Sequence, residues 1–362
     1  MPKFRVKKQP TVREVLENLG MSAEEIDEAE ASGTDGLLAI DSVALPERGK
    51  FTIEEVARKV GTDIEVVRAF WRASGFVDFD QDEPAFSKRD VSILKSLVGL
   101  TSEGLLDDDL ALQVARVVGL SMAQVATAVV DAAEPQQGER RDGPDDGPAD
   151  GSLAVSAGEL LPFMADVIDY SFRRHLRAAT RRRILLASAV GGRGEVVGFA
   201  DLVRFTEISG RLEDHELARL VGWFDQIVNS VVVRHQGRVV KMIGDAAMFS
   251  AVEPVQAASI ALELSETVAN EPRLSGLRVG MARGPVVARD GDLYGPVVNR
   301  ASRLVAIGRA GAINVDQELR DALRSDDRFA LRSLGLQPLR HIGEVRVYRL
   351  RPNNAGPNTQ PG

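Results

Sequence analysis

The chain has 362 residues, 44% of them hydrophobic, and no cysteine, which leaves room for two globular domains and excludes disulfide scaffolds and thiolate metal sites. Residues 1–150 hold 17 Lys and Arg against 30 Asp and Glu, a net −13, so the overall −8 leaves +5 on residues 151–362. An acidic first half argues against DNA binding, because phosphate contacts require positive surface.

The chain opens on Lys3, Arg5, Lys7 and Lys8 with no apolar run behind them, so no signal peptide is expected and the cytoplasm is the default location. Every apolar stretch reads as too short to cross a bilayer. Residues 11–131 read as short helices. Thr11 to Glu14 forms a capping box ahead of Val12, Val15, Leu16 and Leu19, and Gly20 stops the helix. Thr52 to Glu55 opens another that ends at Gly61, Thr62 to Glu65 a third, and Ser87 caps a fourth. Two further helices are expected around Leu110–Val118 and Met122–Val130. Residues 132–152 lack apolar periodicity and read as a flexible linker. One or two connecting helices follow over 153–190, carrying Arg173, Arg174, Arg177, Arg181, Arg182 and Arg183, a band that reads as a solvated face.

From Glu195 strands and helices alternate. The expected order is strand Val196–Leu202, a helix from about Leu212 to His235, and a hairpin of Arg238–Ile243 and Ala246–Ser250 turning at Gly244-Asp245. A helix Val255–Ala269 and strands Leu277–Ala282 and Pro285–Ala288 come next. Helix Gly295–Ile307, strand Ala312–Val315, helix Gln317–Leu323 and two terminal strands complete it. This βαββαβ pattern predicts a ferredoxin-like α+β domain over 191–351, behind an all-α domain over 1–131, with a disordered tail at 352–362.

Within that domain Asp201 ends an apolar strand and Asp245 sits at a glycine turn, two strand-edge positions from which paired carboxylates can share two cations about 3.5–4 Å apart. The backbone carbonyl of Leu202 is a further candidate ligand. Lys241 and Asp292 supply a donor and an acceptor, and Asn299 and Arg303 stand four residues apart on one helix face. Each residue alone has an ordinary structural reading as a turn, cap or surface residue; the ordered set points to phosphoryl chemistry.

These residues resemble the class III nucleotidyl cyclases over about residues 190–350. Phe199-Ala200-Asp201 with Phe205-Thr206 is similar to the first metal motif of that family, and Lys241 with Gly244-Asp245 to the second. Asp292 with Gly295, Asn299 and Arg303 is similar to its base-recognition and transition-state segment. The resemblance implies conversion of ATP to 3′,5′-cyclic AMP and pyrophosphate with two divalent cations, Mg2+ or Mn2+, held by Asp201, Leu202 and Asp245. It implies adenine recognition by Lys241 and Asp292, catalysis by Asn299 and Arg303, phosphate contact by Arg340, and a homodimer whose sites are shared between chains. Adenine presents an acceptor at N1 and a donor at N6, which a lysine and a carboxylate complement; guanine reverses the pattern. Arg204 departs from the family, which usually has glycine there. The layout also resembles soluble bacterial cyclases with an inhibitory N-terminal domain.

Other readings weigh less. A cyclase-like regulatory protein without activity would be expected to have lost part of this set. A diguanylate cyclase would carry two glycines and paired acids at the hairpin. A DNA-binding helix-turn-helix at 51–98 would place Asp63 and Glu65 at the reading end, opposing phosphate. No nucleic-acid or membrane partner is therefore expected. All four histidines, His175, His215, His235 and His341, lie beyond residue 150, so histidine titration cannot belong to the helical half.

Overall fold

A computed structural model describes residues 11–18, 20–45, 47, 49–133, 152–188 and 194–353. The chain divides into two compact units, 1–175 and 176–362. Most of the expected linker and of the C-terminal tail lies outside the described residues.

The first unit is helical: α1 (Val12–Asn18), α2 (Ala23–Ser32), α3 (Asp35–Ala44), α4 (Ile53–Val60), α5 (Ile64–Ala73), α6 (Lys88–Ser102), α7 (Asp108–Ala133) and the first part of α8 (Ser152–Ser188). Capping boxes close at Thr11/Glu14, Thr52/Glu55 and Ser87/Asp90, where each side chain accepts the other residue's backbone N–H. The box expected at Thr62 does not form. Asp63 takes the N-cap position of α5, so Glu65 falls one residue short of the spacing that a box needs and pairs instead with Arg68 at 2.9 Å. Val56, Val60, Val67, Phe70, Phe86 and Leu94 form the main core of this unit, and Val12, Leu16, Ile26 and Ala39 a smaller one.

Two expectations are corrected at α7. It is one helix rather than two, running through Gly119, where a Cβ would stand 2.2 Å from the Ser74 carbonyl oxygen. Glycine is required there by the close approach of α7 to the end of α5, and packing offsets its poor helix propensity. By length and composition α7 is also long and apolar enough to cross a bilayer, over Asp108–Asp131 at a mean hydropathy of 1.4. The lack of uninterrupted apolar runs conceals this, because the large apolar residues are separated by Ala, Gly, Ser, Thr and Gln, with Arg116 the one charge between Asp109 and Asp131. The expected one or two connecting helices are a single helix, α8.

The second unit is built on a seven-stranded sheet. Its elements are β1 (Glu195–Leu202), α9 (Phe205–Ser209), α10 (Asp214–Arg234), β2 (Arg238–Ile243), β3 (Ala246–Ala251), α11 (Pro254–Ala269), β4 (Leu277–Gly284), β5 (Val287–Arg289), β6 (Asp292–Tyr294), α12 (Pro296–Ala306), β7 (Ile313–Val315), α13 (Gln317–Leu323), β8 (Phe329–Leu339) and β9 (Gly343–Pro352). Strand order is β2-β3-β1-β4-β7-β9-β8, with only β4 and β7 parallel. The first four strands have the ferredoxin-like arrangement, as the sequence predicts. The short ribbon β5–β6 is separate, and β6 was not anticipated.

Side-chain alternation divides the sheet into two faces. Val196, Ala200, Leu202, Ala247 and Phe249 pack with α10, α11 and α13, whereas Val197, Met248 and Ala282 pack with Val297, Ala301 and Leu304 of α12. Arg182, near the end of α8, does not belong to a solvated face. Its guanidinium is 17% exposed, pairs with the buried Glu195 carboxylate and donates to Ser250 Oγ at 2.6 Å. Burial, with the charge of Arg238 added, lowers its pKa to about 10.

Candidate active site

Asp201 is the penultimate residue of β1, opposite Ala246 of β3 on one side and Arg278 of β4 on the other. Arg278 Nε donates to the Asp201 carboxylate. Sequence reading missed Arg278; the signal available was an arginine near the start of an apolar strand, but only strand register puts it across from the acid.

Gly244, at φ 60°, allows the tight β2–β3 turn that brings Asp245 to the same end of the sheet. There the Asp245 carbonyl accepts the Leu202 N–H at 3.1 Å. Burial pushes the Asp245 carboxyl up and the charge of Asp201 pushes it further, while its own backbone N–H and Arg278 oppose. Two carboxylates that repel one another are an oxygen pair of the kind a hard divalent cation takes. Among the described residues no group of three His, Cys, Asp or Glu side chains competes as a metal site.

Lys241 on β2 and Asp292 on β6 are brought into direct contact, Lys241 Nζ donating to Asp292 Oδ2. Burial alone would raise the Asp292 carboxyl. Hydrogen bonds from Lys241, the Leu293 N–H and Tyr294, with the charge of Lys241, outweigh it and hold the group below the usual range. Arg238, also on β2, donates to the Gly291 carbonyl and so ties down the turn immediately before Asp292. It too was missed, since nothing local marks an arginine whose partner is 53 residues away.

α12 begins after Gly295, which at φ 128° adopts a conformation open to glycine, and Pro296 starts the first turn. Asn299 is exposed and Arg303 half-buried, and neither side chain has a hydrogen-bond or ion-pair partner among the described residues. Arg340 is exposed on the β8–β9 turn, and no contact joins it to the residues above. Arg204 takes the left-handed conformation at φ 62° and heads α9, its side chain two-thirds exposed. That backbone angle accounts for the usual glycine, and the exposure directs the arginine outward.

Residues 195–352 match the family described as the adenylate and guanylate cyclase catalytic domain. Similarity to curated proteins extends over nearly the whole chain. An adenylate cyclase of Streptomyces coelicolor is 34% identical across 90% of this chain and 92% of its own length. An adenylate cyclase of Streptomyces griseus is 36% identical across 78% of this chain and 71% of its own. A protein of Mycobacterium tuberculosis named a pH-sensitive adenylate cyclase is 28% identical across 90% and 84%. With its catalytic domain matched, its ferredoxin-like core in place and relatives of the same name along its length, the chain belongs to the class III adenylyl cyclases and is an adenylate cyclase.

Proposed function

We propose that the enzyme converts ATP to 3′,5′-cyclic AMP and pyrophosphate, using two divalent cations, Mg2+ or Mn2+, at sites shared between two copies of the chain. The observation that carries this reading is the Lys241–Asp292 pair, a donor and an acceptor held side by side. Adenine N1 accepts from the lysine and N6 donates to the carboxylate. Guanine would face donor with donor, and a site built on hydrogen bonds discriminates by roughly 10⁴-fold.

Asp201, Asp245 and the Leu202 carbonyl would hold the cations, which when bound lower the pKa of the ribose 3′-hydroxyl and neutralise triphosphate charge. Asn299 orients the ribose, Arg303 meets negative charge on the transferring phosphoryl group, and Arg340 contacts phosphate. The Asn299 and Arg303 side chains, without partners among the described residues, support this assignment, because their polar groups are available to a ligand. Exposed Ile243 on β2 and Tyr294 on β6, the strands that carry the base pair, and Val287 opposite Tyr294 on β5 support a shared interface.

In the same reading residues 1–131 form a regulatory domain, joined through 132–152 and the connecting segment 153–190 to the catalytic domain at 191–351. The similarity of the whole chain to a relative named as pH-sensitive supports a regulatory role for the helical half. Neither nucleic acid nor membrane is a partner. On α5, Arg68 is paired with Glu65 and Arg72 with Asp78, so these arginines are not presented freely to phosphate. The enzyme acts in the cytoplasm on ATP.

Purified full-length protein, incubated with ATP or GTP and either cation, tests the reading through chromatographic identification of the product. Cyclic AMP as the main product, abolished by EDTA, is expected. Cyclic GMP as the main product, or turnover unaffected by the chelator, overturns it.

A further inference from the structure

β7 turns opposite characters to its two sides. Ile313 and Val315 join the apolar core shared with α11 and α13. Asn314, between them, is fully buried, and its Nδ2 donates to the Leu304 carbonyl in the last turn of α12 at 2.8 Å. Its Oδ1 accepts from Arg349 Nε at 3.0 Å, which fixes the orientation of the amide. Two residues on, where strand alternation returns to the same side, stands Asp316, also fully buried.

Asp316 accepts the Leu319 N–H at 3.0 Å, capping α13, and the Arg283 N–H of β4 at 3.2 Å. From α12, Arg300 Nη1 reaches Asp316 Oδ2 at 3.4 Å and Glu318 Oε1 at 3.1 Å. Arg300 lies one turn before Leu304. Two buried polar residues on one side of β7 therefore hold two successive turns of α12, one directly and one through an arginine.

The apolar contact beneath α12 sets a distance. Gly280 of β4 lies so close that a Cβ there would stand 2.3 Å from the Val305 nitrogen and 2.5 Å from the Ala301 oxygen. Apolar packing is non-directional and leaves the rotation and sliding of a helix weakly determined, whereas hydrogen bonds depend on angle. Asn299 adjoins Arg300, and Arg303 follows three residues later, so any rotation of α12 moves both.

We propose that Asn314 and Asp316, the latter through Arg300, are positioning residues of the cyclisation: they set the rotation and axial placement of α12 and thereby aim Asn299 and Arg303. This inference rests on the roles proposed above for those two residues. Arg300 occupies the position between Asn299 and the buried face of α12, so it can serve the clamp without touching the substrate.

The charge on Asp316 has a consequence for pH. Burial pushes its carboxyl up to about 7, and the charge of Glu318 adds to this, while the Leu319 and Arg283 N–H groups and Arg300 oppose. The charged groups facing it are Arg300 from α12 and Glu318 from α13, with Arg283 of β4 reaching it through the backbone. Below neutral pH Asp316 becomes uncharged and holds Arg300 less firmly. The clamp is thus strongest above neutral pH.

The test compares full-length Arg300→Met, Asp316→Asn and their double variant with Asn299→Ala and Arg303→Ala. Each clamp variant is expected to lose about tenfold in kcat, as misplacement of a reacting geometry does, with KM for ATP within about twofold. The double variant should lose no more than either single, because both remove one contact. Arg300→Lys should recover part of the loss. Arg300→Lys and Asp316→Asn, which leave no buried carboxylate without a cation, should melt within about 3 °C of the parent, which separates misplacement from unfolding. The ratio of parent to Asp316→Asn kcat should grow from pH 6 to 8. Parental kcat in Arg300→Met, or a pH-independent ratio with losses that add in the double variant, overturns the clamp. Parental kcat in Asn299→Ala and Arg303→Ala removes their proposed roles, and the inference with them. Loss in those two with none in Arg300→Met removes the clamp alone.

Discussion

In the helical unit the buried polar side chain among the described residues is Ser87, whose partner Asp90 is three residues away. In the catalytic unit Glu195, Ser250, Asn314 and Asp316 are buried; Asp316 also caps α13 locally through Leu319, but the set has distant partners as well: Arg182 from Ser250 by 68 residues, Arg349 from Asn314 by 35, Arg283 from Asp316 by 33. In the first unit the buried polar group ends a helix, the rest of the buried set is apolar, and polar pairs between elements such as Arg13 with Glu30 stay at the surface. The second uses it to hold elements against one another. The contrast shows that buried polar contacts fix orientation between elements in the catalytic unit, as the geometry of a reaction requires.

The strongest attempt to break this contrast goes through the acids. Asp201→Ala and Asn299→Ala should each lose activity by on the order of 10²-fold or more. If sites are shared between two chains, mixing the two variants places both lesions in one site and leaves the other intact. Half the dimers formed at random are mixed, so recovery should approach roughly a quarter of parental activity. No recovery, with subunit exchange shown by tagged pull-down, would mean each chain builds its own site.

Next comes the base pair. Lys241→Glu with Asp292→Cys should cut ATP turnover by about 10²-fold or more and shift preference toward GTP, because donor and acceptor are inverted. Unchanged ATP turnover would take both residues out of base recognition.

A stability prediction sharpens the comparison directly. Arg182→Met leaves Glu195 buried without its cation and should cost about 3 kcal/mol by thermal or denaturant unfolding of the catalytic unit. Ser87→Ala, which loses only a local cap, should cost about 1 kcal/mol in the helical unit. Equal costs would erase the distinction between the two units.

Removing residues 1–152 should change specific activity several-fold, most readily upward if the helical half restrains the enzyme. The pH-dependent ratio between parent and Asp316→Asn should survive that truncation, since its groups all lie in the catalytic unit. The smallest effect is expected at Arg204→Gly: relief of the left-handed backbone should leave stability unchanged or raise it by less than about 1 kcal/mol, with little change in rate. A large loss of activity would mean the exposed arginine has a role in turnover.

Much of the molecule was legible in its sequence because it depends on neighbours along the chain. Capping boxes at Thr11, Thr52 and Ser87, the βαββαβ order and the glycine turn before Asp245 are set by periodicity and by backbone freedom over a few residues. The box at Thr62 and the division of α7 were misread for the same reason in reverse. Cap choice shifted by one residue, and Gly119, between the two expected helices, is there to admit the end of α5. The contacts of Arg278 with Asp201, of Arg238 with the Asp292 turn and of Arg300 with Asp316 were decided only by tertiary structure. Each joins residues on different strands or helices, and their distance is set by strand register and helix docking. The sequence determined which acids, lysine, asparagine and arginines the site contains, while folding determined which charge faces which, because long-range electrostatic pairing follows from packing and not from spacing along the chain.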